Sequence, residues 1–553
     1  MMIQSKNNKS LPGISMAAVF ILIFSFVALV AADFPGEVQK ARRSIKGPMM
    51  VSHIQFLASK YCRGRETGDY GMKIADEYIT SVLKGAGLQP AGELGRYFQE
   101  VKLMEISLSD RIHLKIEDQT GGAATIKDAK LDWDYLPVNI SGENETSAPL
   151  VFAGYGITAP EHNYDDYKNL DARGKIVLVM RHEPGENTDS SPFEGRKNSK
   201  HGTFLAKILN AQAHGAVGIL LVTDPLNHHD LSVSGEGFLS GTQWASLREK
   251  RMKDDEDFKY MKFEKHMKIV GDDFGVKIPA VQIDGKLAES LLGNNYSLRR
   301  LQEEIDKTLK PRSFSIAGKK VFLEVEFETK PIEAHNIVAK VEGSDPVLKD
   351  EVVIVGAHYD HEGKDNHGEV YGGANDNASG SAAVMEIARA FRELEPKPKR
   401  TILFILFTAE EKGLLGARYY VDNPLFPLDK TVAMIDLDMI SRNNVDQLSL
   451  VGKYQYPQLF KIVEAINKNT ANFELNSNVD AFIRNSDHFP FMRKKIPSLF
   501  FNSGEHADLH TPRDTVDLID GEKTEKAAQL VFLTLWEIAD LPPGARAQLG
   551  SNK

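Results

Sequence analysis

The stretch TILFILFTAEEKGLLGARYYVD, residues 401–422, indicates the fold class of this chain. It opens with a near-continuous apolar run, which is typical of a strand buried on both faces of a sheet, and we predict a strand over 401–410. Two carboxylates, Glu410 and Glu411, stand where this strand emerges, and Gly-Leu-Leu-Gly leads into a helical pattern. Because side chains alternate along a strand, we expect the two acids to point in different directions.

Apolar runs and helical patterns alternate through the C-terminal half of the chain. Near-continuous apolar strands separated by helices predict an α/β fold, in which helices cover both faces of the sheet. The predicted strands are 321–327, 351–358, 401–410, 432–440 and 497–504, and the predicted helices are 379–394, 413–422, 456–469 and 522–541.

Composition excludes several classes of protein. The chain has 553 residues, 42% of them hydrophobic and 26% charged, which is ordinary for a multidomain globular protein. Its 67 basic and 77 acidic residues give a net charge of −10, which argues against a nucleic-acid partner. Cys62 is the only cysteine, so an intrachain disulfide is excluded.

The N-terminus has the parts of an export signal. Lys6 and Lys9 precede the apolar stretch 17–30, which ends at the small residues Ala31 and Ala32. This pattern predicts a signal peptide cleaved after Ala32 and an exported protein, periplasmic or secreted. The alternative is an uncleaved membrane anchor, because the apolar segment is close to the length that spans a bilayer.

Acids and histidines follow the predicted strands. In an open α/β sheet, ligands bind beyond the carboxyl ends of the strands. Several acids at one such edge would repel one another unless a cation compensated them, and carboxylates with imidazoles but no thiolates suit a catalytic zinc site. The residues concerned are His358, Asp360, Asp376, Glu410, Glu411, Asp436, Asp438, His506 and His510.

Five short motifs, in this order, resemble those of the co-catalytic zinc aminopeptidases of peptidase family M28, clan MH. The similarity covers residues 330–540 and extends to RGRETGDYG at 63–71. It implies a mixed, largely parallel sheet flanked by helices, of the phosphorylase/hydrolase-like type. The five motifs are HYD (358–360), GANDNASG (373–380), AEEKGLLG (409–416), DLDMI (436–440) and HTPRDT (510–515).

A second resemblance divides the chain into domains. Residues 121–312 are similar to the mostly-β protease-associated (PA) domain that is inserted in many members of the family. Acids and histidines do not cluster at its predicted strand ends, so we expect it to restrict or orient substrates. The predicted domains are 1–32 (signal), 33–120 (first part of the peptidase domain), 121–312 (PA insert), 313–543 (main part of the peptidase domain) and 544–553 (disordered tail).

The resemblance to M28 also implies a site for two Zn²⁺ ions. His358 and Asp438 would bind one zinc, Glu411 and His510 would bind the other, and Asp376 would bridge them. The expected activity is hydrolysis of the N-terminal peptide bond of peptide substrates through a metal-bridged water.

Two further roles follow from the same motifs. Glu410 would be the general base, and Asp360 would orient His358. Asp436 stands where many members have Asn, so it is left out of the ligands. Histidines without motif support, expected to line the site or lie at the surface, are His361, His367 and His506.

Three alternatives remain open from the sequence. A carboxypeptidase or dipeptidase on the same scaffold would need a cation for the substrate carboxylate, which Arg442 or Arg484 could supply. A glutaminyl-cyclase-like acyltransferase would work with one zinc, and a receptor-like ectodomain would have no catalysis. The sequence predicts neither the preferred N-terminal residue of a substrate nor the oligomeric state.

Overall fold

The computed structural model of this chain describes residues 34–120, 123–195, 199–227, 263, 265–365 and 367–550. The chain forms two compact units: unit 1 contains residues up to Val101 and from Ala334 onward, and unit 2 is Lys102–Glu333. The expected signal segment lies outside the described residues. Within the described ranges, no helix is long and apolar enough to cross a membrane.

Helices and strands are numbered here in chain order. The first part of unit 1 contains α1 (Gly36–Ser44), α2 (Gly47–Leu57), α3 (Tyr70–Gly85), β1 (Gln89–Pro90) and β2 (Phe98–Glu100). Unit 2 contains β3 (Leu103–Asp118), β4 (Thr125–Asp128), β5 (Tyr135–Pro137), β6 (Asn144–Ala153), β7 (Thr158–Ala159), β8 (Tyr164–Asp165), β9 (Ile176–Met180), α4 (Phe204–Ala213), β10 (Gly218–Val222), β11 (His266–Ile269), β12 (Ala280–Ile283), α5 (Gly285–Leu292), α6 (Leu298–Thr308) and β13 (Ser313–Ile332). The second part of unit 1 contains β14 (His335–Val341), β15 (Val352–His358), α7 (Gly380–Glu393), β16 (Thr401–Phe407), α8 (Leu415–Asp422), β17 (Thr431–Leu437), β18 (Gln447–Val451), α9 (Pro457–Asn469), β19 (Glu474–Asn476), α10 (His488–Arg493), β20 (Ser498–Asn502), α11 (Gly521–Asp540) and α12 (Ala545–Leu549).

Unit 1 is built on one mixed sheet, with strand order β1-β14-β16-β15-β17-β20-β18-β19 and β2 paired to β14. The central strands β16, β15, β17 and β20 run parallel, and β14 and β18 are antiparallel to their central neighbours. Every residue of these four central strands is buried, because helices pack on the sheet. The predicted fold class is therefore confirmed.

Unit 2 has a separate sheet, with strand order β11-β3-β13-β6-β9-β10-β12-β5 and β4 paired to β3. Apolar side chains from the strands and from α4, α5 and α6 form its own cores. The prediction of a mostly-β insert is confirmed. Its limits differ from 121 and 312, since β3 and β13 pair along their length and both lie in unit 2. The predicted strand 321–327 is thus part of the insert sheet.

The C-terminal end departs from the expectation of a disordered tail. Residues Ala545–Leu549 form α12, and the side chains of Ala545 and Leu549 are fully buried in the main core of unit 1. The short apolar spacing in ARAQL places both residues on one helical face. Burial of that face accounts for the order of this segment as far as residue 550.

Candidate metal centre

The site lies at the carboxyl edge of the central parallel strands of unit 1. His358 is the last residue of β15, Asp438 directly follows β17, and Glu410 and Glu411 follow β16. His510 lies eight residues beyond the end of β20. Because these strands are parallel neighbours, the residues after them meet at one edge of the sheet.

One group of donors surrounds the imidazole of His358. Its Nε2 lies 3.2 Å from Asp438 Oδ1 and 3.3 Å from Asp376 Oδ1. Glu410 Oε2 is 3.9 Å from the same nitrogen. His358, Asp376 and Asp438 are buried and offer ligand atoms close enough together to share one metal ion.

A second group surrounds the imidazole of His510. Its Nε2 lies 2.9 Å from Asp376 Oδ2 and 3.3 Å from Glu411 Oε2. His361 adds its Nδ1, 2.8 Å from Glu411 Oε1. The ligand atoms of His361, Asp376, Glu411 and His510 all lie within 4.8 Å of one another, so this group could also hold a metal ion.

Asp376 belongs to both groups. Its Oδ1 faces His358 and its Oδ2 faces His510. One carboxylate shared in this way is the arrangement of a bridging ligand between two ions.

The two adjacent glutamates do not lie on the strand as predicted. Strand β16 ends at Phe407, so alternation along a strand does not determine the directions of Glu410 and Glu411. They lie in a turn in which Ala409 has a left-handed φ of 53°. The carboxylate of Asp360 accepts hydrogen bonds from both glutamate amides, Glu410 N at 3.1 Å and Glu411 N at 3.3 Å.

Asp360 also lies beside His358, as its expected role requires. The backbone carbonyl oxygen of Asp360 is 3.3 Å from His358 Nδ1, and its Oδ1 is 3.7 Å away. The Thr67 hydroxyl donates to the other carboxylate oxygen of Asp360 at 3.3 Å. Asp360 is therefore in contact with both sides of the centre, the histidine and the glutamate turn.

Burial and neighbouring charges perturb the acids in opposite directions. Burial raises the pKa of Glu410 well above its usual value, and the adjacent Glu411 carboxylate adds to the rise. Burial also raises the pKa of Asp360, to about 6. For Glu411 burial acts in the same direction, but the His510 and His361 imidazoles outweigh it and hold the pKa of Glu411 far below its usual range.

Several supporting residues were not assigned a role from the sequence. The Asp514 carboxylate accepts hydrogen bonds from the backbone amides of Asn375 and Asp376, at 3.0–3.1 Å. Asn377 Nδ2 donates to the Leu437 carbonyl at 2.9 Å and so ties the Asp376 loop to β17. Asp514 lies within the motif HTPRDT and Asn377 within GANDNASG, so the motifs included both residues without indicating what they do.

The histidines without motif support have different positions. His361, expected to line the site or lie at the surface, is fully buried beside Glu411 at the centre. His506 is partly buried, with Nε2 3.1 Å from Asn375 Nδ2, and His367 is exposed. Asp436 accepts a hydrogen bond from His488 N at 3.0 Å and belongs to neither donor group among the described residues.

Unit 2 also contains a small cluster of acid and histidine, which the sequence did not predict. His182 and Asp224 follow the parallel strands β9 and β10, and Glu186 lies 3.9 Å from His182. His182 Nδ1 and Asp224 Oδ1 are 2.5 Å apart, which is the spacing of a direct hydrogen bond. Two ligands of one tetrahedral zinc are roughly 3.3 Å apart, given bond lengths of about 2.0 Å. The distance between His182 and Asp224 therefore matches a hydrogen bond better than two ligands of one zinc.

The residues of the unit 1 centre fit zinc. Their donors are carboxylates and imidazoles, the spacings between donors in each group are near those of shared ligands, and the ion-pair partners of the carboxylates are imidazoles. Five acids buried together, Asp360, Asp376, Glu410, Glu411 and Asp438, are the setting in which a divalent cation offsets mutual repulsion.

Comparison with known proteins matches two parts of the chain to known families. Residues 336–535 match the model of peptidase family M28, and residues 146–291 match that of the PA domain. Aminopeptidase YwaD of Bacillus subtilis (strain 168) is 25% identical over 475 residues, which cover 83% of this chain and 80% of that protein. A probable zinc metalloprotease of Leptosphaeria maculans is 25% identical over 257 residues, 38% of this chain.

This chain spans 59% of the length of the Leptosphaeria protein and 53% of a similar one from Pyrenophora teres f. teres. The solved structure of an aminopeptidase from Aneurinibacillus sp. strain AM-1 shares the fold, with a TM-score of 0.53 and 20% identity over 90% of this chain and 95% of that one. The chain therefore contains a peptidase family M28 domain at residues 336–535 and a PA domain at residues 146–291, and the PA domain lies between the two parts of unit 1 along the chain.

Proposed function

We propose that this protein is a two-zinc aminopeptidase that hydrolyses the N-terminal peptide bond of peptides. The observation that carries the proposal is the division of the Asp376 carboxylate, with Oδ1 toward His358 and Oδ2 toward His510. His358 and Asp438 would hold one zinc, Glu411 and His510 the other, and Asp376 both. The similarity to YwaD, an aminopeptidase, over most of both chains supports the same function.

The chain's own residues supply the proton transfers. When bound, a pair of zinc ions would polarise the scissile carbonyl and lower the pKa of a water. Glu410 lies beside the His358 group, and we infer that it accepts the proton of the attacking water and delivers it to the leaving amine. Burial raises the pKa of Glu410 above that of a free glutamate, and a higher pKa makes the carboxylate a better proton acceptor.

Asp360 holds Glu410 in position for this role. Its carboxylate accepts hydrogen bonds from the amides of Glu410 and Glu411, and its backbone carbonyl lies within reach of His358 Nδ1. A hydrogen bond from Nδ1 to that carbonyl would leave Nε2 unprotonated and free to bind a metal. The buried position of the centre limits access of bulk water.

The surroundings of the site favour an aminopeptidase over a carboxypeptidase. Arg442 would be a candidate for binding a substrate carboxylate, but its guanidinium pairs with Asp508 at 2.8 Å and approaches Asp514 at 3.6 Å. Arg484 is exposed and lies over the Phe489 ring. Arg442 is therefore already paired with a carboxylate of the chain, whereas Arg484 makes only a long contact with an aromatic ring.

The decisive variant is Glu410→Gln. We expect the purified variant to bind two zinc ions per chain, because Glu410 is not among the proposed ligands, and to lose about 10²–10⁴-fold in kcat. Zinc content by mass spectrometry and hydrolysis of aminoacyl-p-nitroanilides would measure the two properties. Near-native turnover in this variant would show that Glu410 is not the base.

Substrates with blocked ends separate the alternatives. An aminopeptidase should release p-nitroaniline from free aminoacyl substrates and leave N-acetylated ones intact, whereas a carboxypeptidase should require a free C-terminus. One zinc per chain with cyclisation of N-terminal glutamine would instead support the acyltransferase. Absence of zinc and of any hydrolysis would support the receptor-like alternative.

We also infer that the protein is exported by its N-terminal segment. The support is the order Lys6, Lys9, apolar residues 17–30 and Ala31-Ala32, which matches a cleavable signal. N-terminal sequencing of the mature protein should begin at Asp33, and a retained Met1 would favour the anchor.

A further inference from the structure

His361 lies buried at the centre, and the sequence assigned it no more definite role than that of a residue lining the site or lying at the surface. Its imidazole is fully buried, and its Nδ1 is 2.8 Å from Glu411 Oε1. The His361 and His510 rings meet edge to face, with centroids 5.6 Å apart. A buried histidine at hydrogen-bonding distance from a proposed metal ligand requires a role of its own.

The two oxygens of Glu411 have different partners. Oε1 faces His361 Nδ1, whereas Oε2 lies 3.3 Å from His510 Nε2. His510 Nε2 in turn is 2.9 Å from Asp376 Oδ2. Oε2 therefore lies with the other donors of this group, and Oε1 is turned toward His361.

We propose that His361 is a positioning residue, which donates its Nδ1–H to Glu411 Oε1 and thereby presents Oε2 to the zinc. The proposal rests on the proposed two-zinc function. A carboxylate held in this way cannot rotate about its Cγ–Cδ bond without losing the hydrogen bond. The hydrogen bond from His361 would therefore leave Oε2, and not Oε1, available to bind the zinc.

The other possibility is that His361 is itself a ligand through Nδ1. A metal-binding histidine nearly always gives its second ring N–H to a partner. His358 meets this requirement through the Asp360 carbonyl oxygen, 3.3 Å from Nδ1. His361 Nε2 is buried and has no hydrogen-bond partner among the described residues, which favours donation from Nδ1 over ligation.

The segment that carries His361 is held by backbone hydrogen bonds and by a neighbouring loop. His361 N donates to the Arg65 carbonyl at 3.1 Å, and the Arg65 guanidinium donates to the carbonyls of Tyr359, Gly372 and Gly373 at 2.7–2.9 Å. A Cβ at Gly373 would lie 2.5 Å from His361 Cδ2, so the loop packs directly on the ring. These contacts fix the His361 backbone and restrict the ring on the side of Gly373.

Two variants of similar side-chain size test the hydrogen bond. In His361→Asn the amide nitrogen can take the place of Nδ1 and donate to Glu411, whereas His361→Leu has no donor. We expect H361N to bind both zinc ions with parental affinity and H361L to lose about 10–100-fold in affinity for one zinc only. Competition with a chromophoric chelator, together with zinc content, would measure each affinity.

The outcomes separate the possible roles. If H361N lost one zinc as H361L does, His361 would be a metal ligand and the proposed hydrogen bond from Nδ1 would be overturned. Parental zinc affinity in H361L would show that the hydrogen bond has no role in zinc binding. Circular dichroism of the zinc-free variants controls for folding, and if H361L fails to fold, the result for H361N alone decides. A parent protein that binds no zinc would instead overturn the proposed function itself.

Discussion

At the scale of the single residue, Asp514 supports the centre through backbone hydrogen bonds and not as a proposed metal ligand. It is fully buried and accepts hydrogen bonds from the amides of Asn375 and Asp376, so it determines where the shared carboxylate of Asp376 lies. In Asp514→Asn one of the two carboxylate oxygens is replaced by an NH₂ group. This group cannot accept a hydrogen bond from the backbone N–H groups that face it. We expect the affinity for both zinc ions to fall about 10–100-fold, because Asp376 belongs to both donor groups.

A matched control is available on the same segment. Asp508→Asn weakens the pairing with Arg442 and Arg513 but touches neither Asn375 nor Asp376. Zinc titration of both variants should show the loss in D514N alone. Equal losses would mean that the charge around Arg442, rather than the hold on the Asp376 loop, supports the centre.

The sequence indicated the proposed metal ligands better than the residues that hold them in place. His358, Asp376, Glu411, Asp438 and His510 stand in short motifs, and the structure brings all five together. His361 lies at hydrogen-bonding distance from the Glu411 carboxylate, and Asp514 accepts hydrogen bonds from backbone amides. Such bonds depend on which loops meet in space, and no spacing along the chain encodes them.

At the scale of the element, the turn between β16 and α8 carries the paired glutamates. Gly416 N donates to the Thr408 carbonyl at 3.0 Å, and Asn336 Nδ2 donates to the Gly416 carbonyl at 3.0 Å. The start of α8 is thereby packed against the end of β16. The prediction of a strand reaching residue 410 failed because an apolar run does not mark its own last residue, and this tight closure ends the strand at Phe407.

Gly416→Ala should open this turn. A Cβ at Gly416 would lie 2.2 Å from the Thr408 carbonyl oxygen and 2.5 Å from Asn336 Oδ1, so the backbone would have to shift. We expect a loss of about 1–3 kcal/mol in the free energy of unfolding, as for overpacked sites, and weaker zinc binding because Glu411 moves with the turn. Urea unfolding and zinc titration would measure both effects.

Gly85→Ala provides the comparison for this variant. Gly85 ends α3, and a Cβ there would meet no atom within 4 Å. Its stability should equal or exceed that of the parent, since alanine favours a helix over glycine. An unchanged unfolding free energy in G416A would mean that the turn tolerates a side chain at this position.

At the scale of the whole molecule, the chain consists of two units with separate cores. The sequence predicted the existence and the class of both units, because their hydrophobic patterns differ. Unit 2 shows short β segments, and unit 1 shows apolar strands that alternate with helices. It misplaced the limits, since β3 and β13 are paired over a separation of about 200 residues and belong to one sheet. Pairing at that range is decided by the register of two strands, which single-sequence patterns do not show.

Zinc removal should affect the two units differently. The proposed ligands all lie in unit 1, so each bound zinc should stabilise that unit by about 4 kcal/mol when free zinc exceeds its dissociation constant a thousandfold. Hydrogen exchange followed by mass spectrometry should show faster exchange in β15, β16 and β17 when a chelator removes the zinc.

We expect unchanged exchange in β9 and β10 of unit 2, because the short contact between His182 and Asp224 matches a hydrogen bond rather than two ligands of one metal ion. Zinc-dependent protection of β9 and β10 would contradict this expectation and would place a cation in unit 2.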